Sequence, residues 1–449
     1  MRDIIQHLNT KNPKPGLVVI PTGGGKSWCI ADLIDKMGSP ATLVLQPTRE
    51  LLKQNYSKFT GPEIGGKASM YSASMNTKEV GNVTYATPMS LKGKAELFQH
   101  VELVIFDEAH LKTTPRKSGK RINRGQVYRF LSKLPKTVKV VGFTATPLTL
   151  QVKGNRFDNY HQLSILTRIT PRFWSKIIHV TQMKGLYDNK YLSPLRFTSF
   201  DRGMRNAKSR GSDFDMEDVR LINQRSDVIP FTADLINESI KRGKKKILVF
   251  TPTVEEAYEL QKLVPSEVIA SGTKSEEREN IIESFVEGDL KVLTNFGTLT
   301  EGFDCPEIDL IICMRPTKSY ALWYQIVGRG IRIGEGKDLC DVVDLSGNYL
   351  EFGDPKDLEI RDDQSTKGWA MFVKNKVITG VPIHQEGKKE LQKSSPILKN
   401  IITFGKHKGR KWVDVPDSYS RFLADKGDLN TKWAEENIKP YLRALGLIQ

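Results

Sequence analysis

The most constraining feature of the sequence lies near its start, where an apolar run, a glycine loop and a helical segment follow one another. Residues 16–20, GLVVI, form a short β-branched run typical of a buried strand. The loop PTGGGKS at 21–27 comes next and leads into WCIADLI. Glycines let backbone N–H groups turn toward an anion, and a helix N-terminus adds positive potential. The sequence therefore predicts a phosphate-binding loop in an α/β domain.

Roles within this loop follow from side-chain chemistry. Lys26 is expected to reach the β- and γ-phosphates of a nucleotide, and Ser27 to ligate Mg²⁺. The strict GxxxxGK[ST] pattern is not met, because Ile20 stands where its first glycine belongs, and the loop has the variant form TGxGKS. A plain Gly-rich turn is the alternative, which a GKS between strand and helix disfavours. The predicted cradle consists of Thr22, Gly23, Gly24, Gly25, Lys26 and Ser27.

Two adjacent carboxylates, Asp107 and Glu108, follow a second apolar run, LVIF at 103–106. Such a run is typical of a buried parallel strand, and α/β sheets bind ligands at the carboxyl ends of their strands. Asp107 is therefore predicted to complete the Mg²⁺ shell, and Glu108 to act as general base on the attacking water. A solvated turn is the alternative, which the pairing of these acids with the glycine loop disfavours.

Composition limits the classes of protein to which the chain can belong. The chain has 449 residues, typical of two or three domains, and carries 68 Lys and Arg against 52 Asp and Glu, for a net charge of +16. This excess favours an acidic partner, nucleic acid first, although other soluble proteins share it. No stretch has the roughly 20 apolar residues of a membrane helix, and no signal-peptide core is present, so a cytoplasmic location is expected. The four cysteines lack CxxC spacing, which argues against a disulfide framework or a Cys-based zinc site.

Asp107-Glu108-Ala109-His110 forms a DEAH box, with which the chain resembles superfamily 2 nucleic-acid helicases and translocases, phage-encoded branch-migration and fork-remodelling DNA helicases among them. Any one short string of this kind is weak, but eight in register along residues 16–350 are specific. Besides the glycine loop and the DEAH box, they are QPTREL at 46–51, Ala86-Thr87-Pro88, FTATP at 143–147, ILVFTPT at 247–253, LTEGFDCP at 299–306 and QIVGRGIR at 325–332.

The resemblance implies an α/β fold of two tandem RecA-like parallel-sheet domains with a small C-terminal accessory module, and ATP with Mg²⁺ bound between the two sheets. The residues agree, because a second series of apolar strands alternates with helical patterns at 254–263 and 275–286, as in a parallel sheet. No second GKS loop accompanies these strands, so the second sheet must contribute something else to the site. The expected strands are 246–250, 268–269, 292–293, 310–313 and 342–343.

Arginine is the expected contribution of the second domain. Arg329 and Arg332 are three residues apart, so on one helical turn both can face the γ-phosphate. The resemblance places Gln325 near the γ-phosphate and the attacking water, and Gly302 and Asp304 at the nucleotide cleft. For adenine recognition upstream of the loop the candidate is Gln6, although Arg2-Asp3-Ile4-Ile5-Gln6 is off the common R-x-x-Q register.

The resemblance also implies nucleic-acid contacts. Backbone contacts of this kind position a strand without reading its sequence. The residues expected to make them from strand-end loops are Arg49, Thr87, Thr251 and Thr298. Those expected to lie between the two sites and to transmit closure are His110, Thr144 and Thr146.

Charge is most one-sided just after the DEAH box. Between Leu111 and Lys139 there are ten Lys and Arg and no acid. The first half, KTTPRKSGKRINRG at 112–125, is typical of a flexible loop. A solvated face is the ordinary interpretation of such a run, but in a helicase-like chain contact with a nucleic-acid backbone is favoured. The expected contact residues are Arg116, Lys117, Lys120, Arg121 and Arg124.

The predicted domain boundaries follow changes in pattern. In the connector, the pair Phe173-Trp174 is favoured as packed core over base stacking. FGKHKGR at 404–410 resembles part of a small module appended to phage and bacterial proteins, with a DNA contact and a packing cap as open alternatives. The boundaries are 1–150 for the first RecA-like domain, 151–240 for a connector and the start of the second, 241–355 for the second domain, 356–399 for a linker and 400–449 for the C-terminal module.

Together, the motifs predict an ATP-dependent DNA helicase or translocase that remodels or unwinds branched DNA at forks or junctions. It is expected to act as a monomer on branched, duplex or single-stranded DNA in the cytoplasm, that of the host if phage-encoded. An RNA helicase and the motor subunit of a restriction or repair complex are the alternatives. The span between LTEGFDCP and QIVGRGIR is too short for a long strand-separating hairpin, so any wedge is expected elsewhere.

Overall fold

The computed structural model describes most of the chain. The described residues are 1–111, 116–118, 121–123, 125–155, 158–200, 202–210, 213–270, 272–297, 304–366 and 368–380, with the single residues 423, 434, 438 and 439. The chain divides into a larger unit, Met1–Thr149 with Ser164–Val377, and a smaller unit, Leu150–Leu163 with Ile378–Gln449. The larger unit contains two parallel sheets, here called the first and second lobes.

The first lobe is built mainly from the first 150 residues. Its elements are α1 (Arg2–Leu8), β1 (Gly16–Val19), α2 (Lys26–Lys36), β2 (Thr42–Leu45), α3 (Arg49–Thr60), β3 (Ser69–Ser72), β4 (Thr77–Lys78), β5 (Val83–Ala86), β6 (Leu103–Phe106), β7 (Arg116–Ser118), β8 (Arg121–Asn123), α4 (Gly125–Leu131) and β9 (Lys139–Thr144). The strand pair β10 (Leu148–Asn155) and β11 (Asp158–Ile165) follows, and then β12 (Lys176–Val180) returns to this lobe.

The eight strands of the first sheet are ordered β12-β1-β9-β6-β2-β5-β3-β4. All neighbouring pairs are parallel except β3 and β4. β1 and β6 are buried along their whole length, as the continuous apolar runs of a sheet covered on both faces require. Because β9 lies between β1 and β6, the loops that follow these three strands meet at one edge of the sheet.

The second lobe is a six-stranded, fully parallel sheet with the order β13-β20-β19-β16-β18-β17. The two predicted parallel-sheet domains are therefore confirmed, and each expected strand lies within two or three residues of its expected bounds. The elements are α5 (Met183–Asp188), β13 (Leu195–Ser199), β14 (Ser209–Arg210), β15 (Asp213–Phe214), α6 (Met216–Arg225), α7 (Val228–Lys241), β16 (Ile247–Phe250), α8 (Val254–Gln261), β17 (Glu267–Ile269), α9 (Ser275–Val286), β18 (Val292–Asn295), β19 (Leu310–Cys313), α10 (Tyr320–Val327), β20 (Cys340–Asp344) and α11 (Asn348–Phe352).

Each lobe has its own apolar core. In the first, helix residues such as Ile30 and Ile34 pack with strand residues such as Val18 and Phe143. The core of the second lobe is built in the same way and includes Ile236, Ile247 and Ile312. Short 3-10 helices occur at Ala73–Met75, Pro88–Leu91, Ala95–Phe98, Leu166–Arg168, Met204–Asn206, Pro355–Asp357 and Gln364–Thr366.

The segment 151–240, expected to be a connector and the start of the second domain, is shared between the lobes. β12 extends the first sheet beside β1, and β13 extends the second beside β20. A strand can join a sheet at either edge whatever its place in the chain, which the motif pattern does not reveal. Trp174 is 1% exposed and packs edge-on against Phe106 and Phe173, so the favoured assignment of the aromatic pair to the core is confirmed.

The predicted linker at 356–399 is wrong over its first part. Strands β21 (Leu358–Asp363), β22 (Gly368–Val373) and β23 (Lys376–Val377) form an antiparallel sheet. The strands bury Leu358 and Ile360 in alternation and Ala370 and Met371 completely, which supplies the apolar face that a small sheet needs. The lysine-rich residues 385–399 and the module at 400–449, apart from four single residues, lie outside the described residues.

The smaller unit is described in part. It contains most of the β10–β11 pair, and Leu163 forms a parallel bridge with Thr379. Gly380 N donates to Leu163 O at 2.8 Å. Over the described parts of both units, no helix has the length and apolar character needed to cross a bilayer.

Candidate functional site

The glycine loop forms a tight turn between β1 and α2. Gly23 and Gly25 have φ angles of 76° and 81°, in the left-handed region that favours glycine, and Gly24 N donates to Pro21 O at 2.9 Å. α2 begins at Lys26, so Lys26 and Ser27 lie in its first turn, where backbone N–H groups have no partner within the helix. The loop therefore offers the shape and the donors of a phosphate cradle.

The two acids lie at the carboxyl end of β6. Asp107 is 4% exposed, and its carboxylate accepts hydrogen bonds from Asn55 Nδ2 at 2.8 Å and from Glu108 N at 2.9 Å. Glu108 has a φ of 46°, which is uncommon for a residue other than glycine, and such backbone conformations cluster at functional sites. The Glu108 carboxylate accepts a hydrogen bond from Lys26 Nζ, so the acid after β6 meets the lysine after β1.

Burial and neighbouring positive charge act in opposite directions on the pKa values of these two acids. Burial raises the pKa of Asp107, and Lys26 and the hydrogen bond from Asn55 offset only part of this rise. Burial would also raise the pKa of Glu108, but the charge and hydrogen bond of Lys26 hold it below its ordinary value. Glu108 is therefore a carboxylate at neutral pH, the form in which it can accept a proton.

A chain of hydrogen bonds crosses from the first lobe to the second through His110. Its Nδ1 lies 3.0 Å from Thr144 Oγ1, and its Nε2 lies 3.3 Å from Gln325 Nε2. Burial lowers the pKa of His110 to about 4, so the ring is neutral at pH 7. The Thr144 hydroxyl donates to Thr146 O at 3.1 Å and thus accepts from Nδ1–H, which leaves Nε2 to accept from Gln325. The structure thus brings His110 and Thr144 together and links them to Gln325, with the Thr146 backbone at one end.

The second lobe also brings its arginines to the nucleotide cleft. Arg329, which is 5% exposed, and Arg332 line the same cleft as Lys26. The expected helical turn is wrong, because α10 ends at Val327 and both arginines lie in the turns that follow. The glycine at 328 permits this path, since a Cβ there would lie 3.0 Å from a side-chain carbon of Thr22.

Asp304 connects Arg332 to the first lobe. Its carboxylate accepts hydrogen bonds from Arg332 Nη1 and, at 2.5 Å, from Gln54 Nε2 of α3. Gly302 and Thr298 lie outside the described residues.

The cleft has a volume of about 400 Å³ and includes residues that motif reasoning missed. Gln54 and Lys58 are four residues apart on α3 and line it together, a helical spacing that the sequence did contain. Trp28, Tyr191 and Ile333 are large, apolar and 40%, 64% and 57% exposed at the cleft, and no motif marks them.

The residues present fit a magnesium nucleotide. Mg²⁺ is commonly bound through one or two carboxylates together with substrate phosphates and water. Ser27 and Asp107 line the same cleft as the glycine loop, so a hydroxyl and a carboxylate flank the position of the phosphates. Gln6 is not brought to the cleft, because its side chain is exposed on α1 and does not line the cavity.

The residues expected to contact nucleic acid are placed differently. Arg49, at the start of α3, forms an ion pair with Glu279 of α9, which Lys53 joins at 3.2 Å. Glu50 and Arg278 form a third contact between the same helices at 3.5 Å. In this structure the positive charge of Arg49 is therefore matched by an acid of the other lobe.

Two threonines expected to contact nucleic acid are buried. Thr87 is 9% exposed, and its hydroxyl lies 2.8 Å from that of Ser90. Thr251 is fully buried, and its hydroxyl donates to Thr253 O at 2.9 Å. The Thr251 side chain therefore supports the backbone of its strand-end loop, and the Thr87 side chain contacts another side chain of its own loop.

The basic segment after the DEAH box contains a short hairpin, so the predicted flexible loop is wrong in part. β7 and β8 pair antiparallel, with Arg116 opposite Asn123 and Ser118 opposite Arg121. Four of the six residues in the two strands are Arg, Lys or Asn, so the hairpin backbone carries a polar and basic sequence. Lys120 and Arg124 lie outside the described residues.

Comparison with known families covers both lobes. The family model described as DEAD/DEAH box helicase matches residues 2–152, and the model described as helicase conserved C-terminal domain matches residues 231–334. Together they span more than half of the chain, and each contains the motifs of one lobe.

Individual relatives agree with these matches. The chain is 28% identical over 352 residues to IRC3 of Saccharomyces cerevisiae, which its name assigns to the ATP-dependent helicases; the match covers 74% of this chain and 48% of IRC3. It is 25% identical over 361 residues to the DNA 3'-5' translocase XPB2 of Sulfurisphaera tokodaii, covering 71% of this chain and 75% of that protein. The chain thus spans about half the length of IRC3.

A solved structure shows the same fold. The DEAD-box helicase Mss116, bound to single-stranded RNA and UDP-BeF, superposes with a TM-score of 0.53 at 15% identity, over 78% of this chain and 70% of that chain. The two parallel sheets are therefore RecA-like.

Proposed function

Because the chain belongs to the superfamily 2 helicases, we propose that it is an ATP-dependent DNA translocase that remodels branched DNA at forks or junctions. The observation that carries the proposal is the meeting of Lys26 and Glu108 of the first lobe with Gln325, Arg329 and Arg332 of the second around one cleft. Such a site is complete only when both lobes contribute, so hydrolysis can be coupled to their movement.

Phosphate binding begins with an exchange of partners at Lys26. In this structure its ammonium is bound to Glu108. The terminal phosphates of ATP compete for that ammonium, and the N–H groups of residues 23–27 hold them at the N-terminus of α2. Ser27 and Asp107 would hold Mg²⁺, which neutralises charge on the β- and γ-phosphate oxygens when bound. The exchange leaves the Glu108 carboxylate free to accept a proton.

Hydrolysis then needs a base and a charge stabiliser. Glu108 accepts a proton from a water molecule whose oxygen bonds to the γ-phosphorus, while the bond from that phosphorus to the β–γ bridging oxygen breaks. The products are ADP and inorganic phosphate. Arg329 and Arg332 stabilise the negative charge on the equatorial oxygens from the opposite side of the cleft.

Coupling follows the chain of contacts at His110. Gln325 reaches His110 from the second lobe, and His110 reaches Thr144 at the end of β9. When phosphate release loosens the hold of Arg329 and Arg332, the lobes can separate and this hydrogen-bonded chain changes. A movement of Thr144 alters the loop between β9 and β10. The movement thereby reaches the surface that is formed by the loops after the strand ends.

Three observations support the proposed substrate: one favours DNA, one favours contact with a nucleic-acid backbone and one favours branched substrates. The relative XPB2 is named a DNA translocase, and the hairpin after the DEAH box concentrates positive charge on one segment. Among the described residues between Asp304 and Tyr324, β19 is the one strand before α10, which leaves no room for a separating pin there. Remodelling a branched duplex does not require such a pin.

An RNA helicase is the alternative substrate class, because the RNA-bound Mss116 shares the fold. A motor that works only within a larger assembly is the alternative role, because IRC3 is about twice as long as the matched region. Both alternatives use the same hydrolytic residues.

A substrate panel separates these functions. ATP hydrolysis and strand displacement by the purified chain are measured with forked, four-way and linear DNA and with matched RNA. The proposal predicts the largest stimulation and displacement on branched DNA. Stronger stimulation by RNA would favour the RNA helicase, and stimulation by DNA without displacement on any substrate would favour the motor subunit.

A further inference from the structure

Lys337 lies in the loop between the cleft arginines and β20, and its ammonium is held entirely by backbone carbonyls. Nζ donates to the carbonyl oxygens of Pro306 at 2.8 Å, Gly330 at 2.8 Å and Arg332 at 2.7 Å. A lysine ammonium has three N–H donors, so these three hydrogen bonds use all of them. Over the described residues Lys337 has no carboxylate partner within ion-pair distance.

The three carbonyls belong to the two segments that form the second-lobe wall of the cleft. Pro306 is two residues after Asp304, and Gly330 and Arg332 lie in the turns that carry the arginines. Arg332 donates to the Asp304 carboxylate, which also accepts from Gln54 of the first lobe. One ammonium thus holds the backbone of the two segments that carry the members of an ion pair at the cleft, Arg332 and Asp304.

The packing around Lys337 is close. Ser193 Oγ donates to Arg332 O at 3.0 Å, so this carbonyl receives two donors. A Cβ at Gly334 would lie 2.7 Å from Pro306 O, so the loop rests directly on the segment that follows Asp304. An apolar side chain at 337 would leave the Pro306 and Gly330 carbonyls without these hydrogen bonds, and nothing would then tie the two segments together through this side chain.

We propose that Lys337 is a positioning residue for ATP hydrolysis, because it fixes Arg332 against Asp304 at the cleft. The inference rests on the proposed role of Arg332 as a charge stabiliser. Lys337 does not line the cleft itself, so it acts through Arg332 and not on the nucleotide. Its removal therefore lowers kcat more than it weakens ATP binding, since a displacement of about 1 Å in a catalytic group can cost up to about 100-fold.

The test compares K337M with the wild-type chain and with K262M, an exposed lysine of the same lobe. Nucleic-acid-stimulated kcat and the affinity for a fluorescent ATP analogue are measured for each. We expect kcat of K337M to fall about tenfold with less than a threefold change in nucleotide affinity, and K262M to match the wild type. An unchanged kcat, or a loss confined to nucleotide affinity, overturns the proposal.

A double-mutant cycle with R332A separates positioning from general damage to the fold. If Lys337 acts through Arg332, K337M changes kcat less than twofold in the R332A background. An equal loss in both backgrounds overturns the proposal. A wild-type kcat for R332A alone instead contradicts the proposed function, so the two failures are distinguishable.

A second variant covers the case in which K337M does not fold. K337R keeps the positive charge, but a planar guanidinium cannot direct donors along the three directions of an ammonium. We expect K337R to fold, to lower kcat severalfold and to show no such effect in the R332A background. A wild-type kcat for K337R would show that the three hydrogen bonds of the ammonium are unnecessary and would overturn the proposal.

Discussion

The nucleotide cleft and the nucleic-acid face differ in how completely the structure assembles their expected residues. At the cleft, Lys26, Glu108 and Arg329 lie around one cavity, although they are far apart in sequence. At the nucleic-acid face, Arg49 is paired with an acid of the other lobe and Thr251 is buried. The residues proposed for hydrolysis thus already line one cleft, although Lys26 is still bound to Glu108. The proposed nucleic-acid contacts require side chains or lobes to rearrange.

The physical reason is the number of elements that each site depends on. The carboxyl ends of neighbouring parallel strands meet at one sheet edge, so residues after β1, β6 and β9 are neighbours as soon as the sheet forms. Under the proposed function a nucleic-acid strand contacts both lobes, so its contacts depend on how the lobes are arranged around the bound strand. The four predictions below test this difference, beginning with the largest effect.

Replacing Lys26 with alanine should abolish hydrolysis. The variant has no ammonium to bind the terminal phosphates, and we expect stimulated kcat to fall at least about 1,000-fold. Lys36, at the other end of α2 and 52% exposed, provides a matched control, and K36A should hydrolyse ATP normally. A K26A variant with more than a few per cent of normal turnover would contradict the assigned cradle.

Neutralising the basic hairpin should weaken nucleic-acid binding without changing the cleft. We expect R116Q/K117Q/R121Q/R124Q to lower affinity for duplex DNA at least about tenfold and to flatten the salt dependence of binding. The slope of log K against log salt should become shallower by about 0.9 for each phosphate that the variant no longer neutralises. The control K241Q/R242Q/K262Q/K291Q removes equal charge from the second lobe, and an equal change of slope in both variants would show that only net charge matters.

Removing the acid that pairs with Arg49 should make the nucleic-acid face more accessible. In E279Q the guanidinium no longer has to leave a carboxylate before it binds phosphate. Because exposed ion pairs are worth about 0.2–1 kcal/mol, we expect roughly a threefold gain in nucleic-acid affinity. E283Q, one turn further along α9, should bind as the wild type does. Equal affinity of E279Q and E283Q would show that Arg49 is not held back by its partner.

The smallest effect on activity is expected at the buried contacts that support the loop at Thr251, where the change is one of stability. Glu256 is fully buried, accepts from Asn223 Nδ2 at 2.7 Å, and lies 3.3 Å from Thr253 Oγ1. Burial raises the pKa of Glu256 to about 7. Because the folded-state pKa exceeds the unfolded value, this group contributes stability that is present below about pH 4.5 and is lost as pH rises through about 7.

Thermal unfolding of E256Q and of the exposed control E255Q between pH 5 and 8 measures that contribution. The wild type and E255Q should lose about 2 kcal/mol more stability over this range than E256Q, because glutamine does not titrate. The ATP affinity of all three should be equal. Parallel pH profiles for E256Q and the wild type would contradict the assignment.

Sequence alone determined the chemistry of the cleft and the two-sheet plan. The glycine loop, the acids after β6 and the strand periodicity are local patterns, and local patterns fix strands and their ends. Sequence did not reveal Lys58, Tyr191 or Lys337, because none of them belongs to a motif and each reaches its position only through the folding of segments distant in the chain. The turn conformation of Arg329 and Arg332 was also missed, since a three-residue spacing is equally compatible with a helix.

Only the tertiary structure decided which elements share a sheet and which charges meet. β12 and β13 joined different lobes, residues 358–377 folded as a separate sheet, and Arg49 met Glu279. These outcomes depend on pairing between segments far apart in sequence, which no short window contains. The sequence therefore specified the reactive groups of this protein. The packing of its two lobes determined which of these groups line the cleft and which form an ion pair between the lobes.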